Sequence, residues 1–132
     1  MYQAVATREG VARWWTRDVR GDAAVGAKLE FFFGTPEPAA VMEVTEQVPS
    51  RRVVWRCVQG PDEWVGTDVI FDLKTADDQT VVVFSHAGWR EPAEFMHHCS
   101  TKWGYFMLSL KAGLEGRGYT AYPDDLKISS WG

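Results

Sequence analysis

The sequence predicts an α+β fold in which a curved antiparallel sheet wraps one long helix near its C-terminal end. Three observations carry this. Phe95, Met96, Cys99, Trp103, Phe106, Met107, Leu110 and Leu114 fall on one side of a single helix. From Lys28 to Ser85 the apolar residues instead alternate in short runs with the period of a half-buried strand. Turn signals rich in Gly, Pro and Asp separate those runs, and no helical segment lies between them to make a parallel crossover, so the strands form a meander.

Taken in order, Tyr2 to Thr7 reads as a helix end or a frayed start. Thr7 can then N-cap a short helix from Arg8 to Trp15, with Val11, Trp14 and Trp15 on one face. Gly21-Asp22 and Val25-Gly26 are turn signals. Leu29, Phe31 and Phe33 form one apolar strand face, ended by Gly34 to Pro38, whose two prolines cannot sit in a paired ladder. Ala40 to Val48 is the next strand, turned at Pro49-Ser50. Arg52 to Val58 follows, with Val53, Trp55 and Cys57 on one face. After Gly60-Pro61-Asp62, Trp64 to Leu73 sets Val69, Phe71 and Leu73 against Asp68, Ile70 and Asp72. Ala76-Asp77-Asp78 is a hairpin tip, and Thr80 to His86 returns with Val82, Phe84 and His86 sharing a face. Pro92 suits the first turn of the last helix and Gly116 its C-terminal cap. Inside that helix Gly113 faces the core, where it would let the helix approach the sheet; Gly104 lies opposite, with no evident role.

A chain of 132 residues is one domain, large enough to bury roughly two-thirds of its unfolded surface. A net charge of -4 offers no basic footprint for nucleic acid. No apolar run approaches the ~18 residues of a spanning helix and no signal peptide is read, so membrane insertion is not expected and a cytoplasmic location is. Cys57 and Cys99 match no C-x-x-C spacing and are expected to be reduced. Seven Trp, seven Phe and four Tyr are an unusually aromatic complement. Large rings stabilise a small core, and they also line pockets.

Several phrases then combine. Glu9-Gly10 leads into Trp14-Trp15-Thr16, and Val25-Gly26 opens a strand. Trp64, Gly66 and Thr67 open another. Thr80 to His86, followed by Gly88-Trp89, leads into a helix carrying Trp103, Ser109-Leu110-Lys111 and Glu115-Gly116. From Glu9 to about Gly118 this ordered set resembles the START-like (SRPBCC) superfamily, in the branch of the C-terminal domain of the heat-shock chaperone ATPase activator. The resemblance implies the helix-grip architecture, a curved antiparallel sheet holding a long helix over a hydrophobic cavity. Members begin with a strand ahead of the first helix; none is read here, and the segment around Ile128 to Trp131 is a candidate to replace it. A missing strand leaves one sheet edge open.

His86, His97, His98 and Cys99 invite a metal reading. On a helix, however, His97 and His98 point ~160° and ~100° away from Cys99, so no metal site is expected. His86 shares the face of Val82 and Phe84, either as a hydrogen-bonded rim histidine or as a polar handle for a ligand in an apolar pocket. No G-x-S-x-G elbow is present, Ser85 points away from the face of His86, and no G-x-G-x-x-G loop exists, so neither a catalytic residue nor a cofactor is assigned. The candidate ligand-binding residues are Trp15, Phe31, Phe33, Trp55, Phe71, Phe84, His86, Cys99, Trp103 and Met107, which could equally form a filled core. The favoured function is binding of a small hydrophobic or aromatic molecule between helix and sheet. The superfamily resemblance keeps two others open, a polyketide cyclase- or hydrolase-like enzyme and a co-chaperone, with a homodimer and a chaperone partner as assemblies.

Overall fold

The computed structural model describes residues Met1–Gly132. Two short helices open the chain, α1 (Tyr2–Ala6) and α2 (Arg8–Trp14). Thr7 stands extended between them. Its hydroxyl donates to the Gln3 carbonyl at 2.8 Å and accepts from the Gly10 N–H at 3.0 Å, closing one helix and capping the next. Trp14 is fully buried, and its indole N–H donates to the Ala4 carbonyl at 2.8 Å.

Six strands follow: β1 (Asp18–Gly21), β2 (Lys28–Phe32), β3 (Ala40–Val48), β4 (Arg52–Gln59), β5 (Asp68–Ala76) and β6 (Gln79–Ala87). Each pairs antiparallel with its neighbour in sequence, giving one open sheet in the order β1-β2-β3-β4-β5-β6. Two register shifts in the β3–β4 ladder, at Val41/Met42 and Val44/Glu46, supply the local twist that curls the sheet. The β5–β6 hairpin turns through Asp77 and Asp78 with φ of 51° and 63°, the paired positive values of a type I′ turn.

The strands differ from the sequence reading in several places: β2 ends one residue before Phe33, β5 runs past Leu73 to Ala76, and two larger differences stand out. β1 was not expected, because Val19 is its one apolar side chain turned inward. Trp64 to Gly66 is not strand: the Trp64 N–H bonds back to the Pro61 carbonyl at 2.8 Å, Gly66 takes φ of 88°, and β5 starts only at Asp68.

The concave face buries Leu29, Phe31, Met42, Val44, Val53, Trp55, Val69 and Phe71 completely. On the convex face Arg52 pairs with Asp72 at 2.6 Å and Arg56 with Asp68 at 3.0 Å, directly across the β4–β5 ladder. Such exposed pairs contribute little, about 0–1 kcal/mol each.

Helix α3 (Glu94–Leu114) lies in the curl of the sheet. Pro92 precedes it and Ala93 is its N-cap, so the proline stands outside the first turn rather than within it. Cys99, Trp103, Phe106 and Leu110 form the buried stripe, whereas Leu114 is 44% exposed, contrary to its place in the expected stripe. The last turn is covered by the tail instead: a Cβ at Gly113 would collide with the Tyr119 ring, so this glycine admits the tail and not the sheet. A Cβ at Gly104 would meet open space.

The tail, residues 115–132, crosses back over the mouth of the grip. The Thr120 N–H donates to Ser109 Oγ at 2.9 Å. The Tyr122 N–H donates to the Trp15 carbonyl at 2.8 Å, and the Arg17 N–H to the Tyr122 carbonyl at 3.2 Å, a parallel bridge between Thr16 and Tyr122. Ile128 to Trp131 forms no strand and lies against α3, so it does not stand in for the strand expected ahead of α1. β1 and β6 are the sheet edges. No helix is long and apolar enough to cross a membrane.

Candidate functional site

At one end of the grip the concave face is not filled. A cleft of about 300 Å³ opens between the first half of α3, the β2–β3 connection, the β4–β5 turn and the tail. Its inner wall is Trp15, Phe33, Trp64, Cys99, Trp103 and Phe106, and its outer wall Phe95, Tyr122 and Trp131.

The inner wall is built from stacked indoles. Trp64 lies 6.0 Å from Trp103 with 19° between planes, and Trp15 lies 6.4 Å from Trp64 and 4.8 Å from Trp103. Behind Trp15 stands Trp55, 6.2 Å away at 10°. Rings in contact hold one another in place, with about 0.5–1.5 kcal/mol per pair beyond their area burial. Phe33 follows directly after β2, and Gly34 then turns at φ of 84° where a Cβ would strike the Tyr122 hydroxyl. A glycine at this position is therefore what lets the tail close on Phe33, 5.1 Å from the Tyr122 ring.

His86 braces this wall from behind. The Trp103 indole N–H donates to its Nδ1 at 3.1 Å, and its Nε2 lies 2.7 Å from Thr67 Oγ1. Thr67 in turn donates to the Trp64 carbonyl at 2.5 Å. An indole only donates, so Nδ1 must be bare; Nε2 then carries the proton and gives it to Thr67. The ring is neutral with both nitrogens occupied. Burial lowers its pKa to about 4, with Asp68 opposing weakly. Burial likewise pushes the Cys99 thiol up to about 11; it accepts from the Trp64 indole N–H at 3.4 Å. Cys57 is also buried, free and pushed up to about 11 by the same cause.

The polar part of the cleft is at its mouth. Lys102, on α3, reaches Asp125 at 2.7 Å, the Gly132 oxygen at 3.1 Å and the Leu126 carbonyl, so its three protons are all engaged. Lys127 meets the other Asp125 oxygen at 2.5 Å and stands 4.6 Å above the Tyr122 ring. Burial raises the Asp125 pKa, but the hydrogen bonds and charges of Lys102 and Lys127 outweigh it and hold the carboxyl below its ordinary value. His98 bonds Ser129 Oγ at 2.9 Å and stacks on Phe95.

Of the residues expected to bind a ligand, Trp15, Phe33, Cys99 and Trp103 line the cleft. Phe31, Trp55 and Phe71 lie fully buried in the packed core instead, and Met107 packs half-buried against that core. Phe84 and His86 stand behind Trp103, Phe84 with its ring 4.8 Å away. Trp64 escaped the sequence reading because it was set on a strand; Pro61 and Gly66 flanking it were the available signal for a turn. The tail residues Tyr122, Asp125, Lys127 and Trp131 carry no periodicity that could have placed them.

The architecture recurs in solved structures. The Aha1 dimer from Colwellia psychrerythraea matches with a TM-score of 0.78 and 41% identity, over 88% of this chain and 86% of that one. CalU16 from Micromonospora echinospora (TM-score 0.69, 19% identity, 88% of this chain and 66% of that) shares the fold. So does protein SSP2350 from Staphylococcus saprophyticus (0.68, 14%, 91% and 85%). A search of curated proteins finds no match. The family model for Activator of Hsp90 ATPase homolog 1-like protein matches residues 1–115. Fold, motif order and this match agree: the chain belongs to the Activator of Hsp90 ATPase homolog 1-like family.

Proposed function

We propose that residues 1–132 form one domain that binds a small hydrophobic or aromatic molecule in the cleft between α3 and the sheet. The observation that carries this is the ring-lined space of about 300 Å³ beside Trp103, at the lower end of the range for small-molecule sites. Binding is favoured over acid–base catalysis by the state of three ionisable groups, two in the cleft and one behind its wall. The Cys99 thiol is held protonated, the Asp125 carboxyl ionised and paired, and His86 neutral with both nitrogens used. None is poised to exchange a proton near neutral pH. Native mass spectrometry of protein purified from its host should detect a co-purified molecule, and an aromatic panel should raise thermal stability as RT ln(1 + [L]/Kd). A panel that leaves the melting point unmoved, with no retained molecule, would remove this reading.

A second reading is supported by the family description and by the 41% identity to the Colwellia Aha1 dimer: interaction with a chaperone ATPase, as a homodimer. Measuring the ATPase rate of the host chaperone with and without this protein separates the two, and sedimentation equilibrium checks the dimer.

A further inference from the structure

Resting on the binding reading above, we propose that the ligand is an aromatic acid, its flat ring system held by the indoles and its anionic group held at the mouth by Lys127. Shape is the first argument. The inner wall is a cluster of indoles, with Trp64 and Trp103 within 19°, Trp15 and Trp64 within 30° and Trp15 tilted 43° from Trp103, and the space beside them suits a planar molecule of one or two fused rings.

Charge is the second. The chain carries a net -4, yet the cleft mouth holds two lysines against one aspartate. Lys102 is spent on Asp125 and two backbone oxygens. Lys127 is not: its ammonium has three protons, one directed at Asp125, and its side chain is 49% exposed. Although paired with Asp125, this half-exposed ammonium keeps two protons for a carboxylate at the rim of the apolar slot. On the β4–β5 turn, Glu63 lies close enough to act on the Cys99 thiol, which disfavours an anion there and leaves the Lys127 side for the acid group.

The third argument is a donor inside. Trp15 is 3% exposed and lines the cleft, and its indole N–H, like those of Trp55 and Trp131, makes no hydrogen bond, whereas those of Trp14, Trp64, Trp89 and Trp103 are engaged. An indole N–H without a partner beside the cleft would donate to an oxygen-bearing substituent on the ligand ring.

Calorimetric titration with 2-naphthoate and its neutral counterpart 2-naphthalenemethanol, at low salt and pH 7, tests the assignment. The acid should bind about tenfold tighter, the size of one charge-assisted hydrogen bond. Lys127→Gln should erase that advantage of acid over alcohol, and Lys127→Arg should keep it. Equal affinities in the unmodified protein, tighter alcohol binding, or an advantage that survives Lys127→Gln would overturn the acid assignment while leaving the cleft a binding site. Failure of both compounds to bind would overturn the two together.

Discussion

The two ends of the grip are made of the same material and do opposite things. Around Trp55 and Phe71 the concave face is closed: rings 5.0 Å apart, walled by β-branched residues, with no exposure. Around Trp15, Trp64 and Trp103 the rings are equally aromatic, but one side of the stack faces space. The difference lies in what arrives opposite. In the closed end, the covering layer is made of regular elements, with Trp14 and Phe84 packed edge-on against Phe71. In the open end the covering element is an irregular tail, held by polar contacts around Lys102 and by Trp131 resting on Phe95 and His98. Aromatic richness by itself therefore does not mark a pocket; the partner layer decides.

The largest expected effect is at the closed end. Trp55→Ala should cost about 3–5 kcal/mol in chemical denaturation, since the ring leaves a cavity its neighbours cannot fill. A loss near 1 kcal/mol would mean that this end yields like the other, and the contrast would collapse.

Next comes the brace between the ends. His86 is held at a pKa of about 4 against 6.5 when unfolded, so between these values the unfolded chain binds the extra proton. Stability should fall as pH drops from 6.5 to 4, by up to about 3 kcal/mol from this group. Denaturation curves at several pH values, compared with His86→Asn, should show that slope flattened in the variant. Asparagine can still accept from Trp103 but loses the proton given to Thr67.

A smaller effect sharpens the open end. Lys102→Met removes the hub of the tail and leaves Asp125 only Lys127. Global stability should drop by about 1–3 kcal/mol, the range for a buried polar group losing a partner. Limited proteolysis should then cut within residues 119–132 long before the sheet. Uniform cleavage across the chain would show that the tail is part of the closed core after all.

The smallest effect belongs to the convex face. Arg56→Ala should change stability by less than about 0.5 kcal/mol, because its partner Asp68 is bonded in solvent.

The same contrast explains how much could be read beforehand. Strand alternation at Val53, Trp55 and Cys57 and at Val69 and Phe71 is a local signal repeated in every ladder partner, so the closed end was legible. The long helix was too, since its stripe from Cys99 to Leu110 is periodic. The cleft was legible only on its inner side, at Trp15, Phe33, Cys99 and Trp103. β1 offers a single inward Val19, and the tail offers Tyr122, Asp125 and Trp131 without spacing of any kind. Their positions follow from contacts across the fold, such as Gly34 yielding to Tyr122 and Gly113 to Tyr119, which no window of sequence contains.

The family match ends at residue 115, and every tail residue of the cleft lies beyond it. The stacked indoles and the sheet thus lie within the matched span, while Tyr122, Asp125, Lys127 and Trp131 lie outside it. Exchanging this one strip would rebuild the outer wall of the cleft while leaving the inner wall in place, provided the replacement kept the bonds to Trp15, Ser109 and Lys102 that seat it.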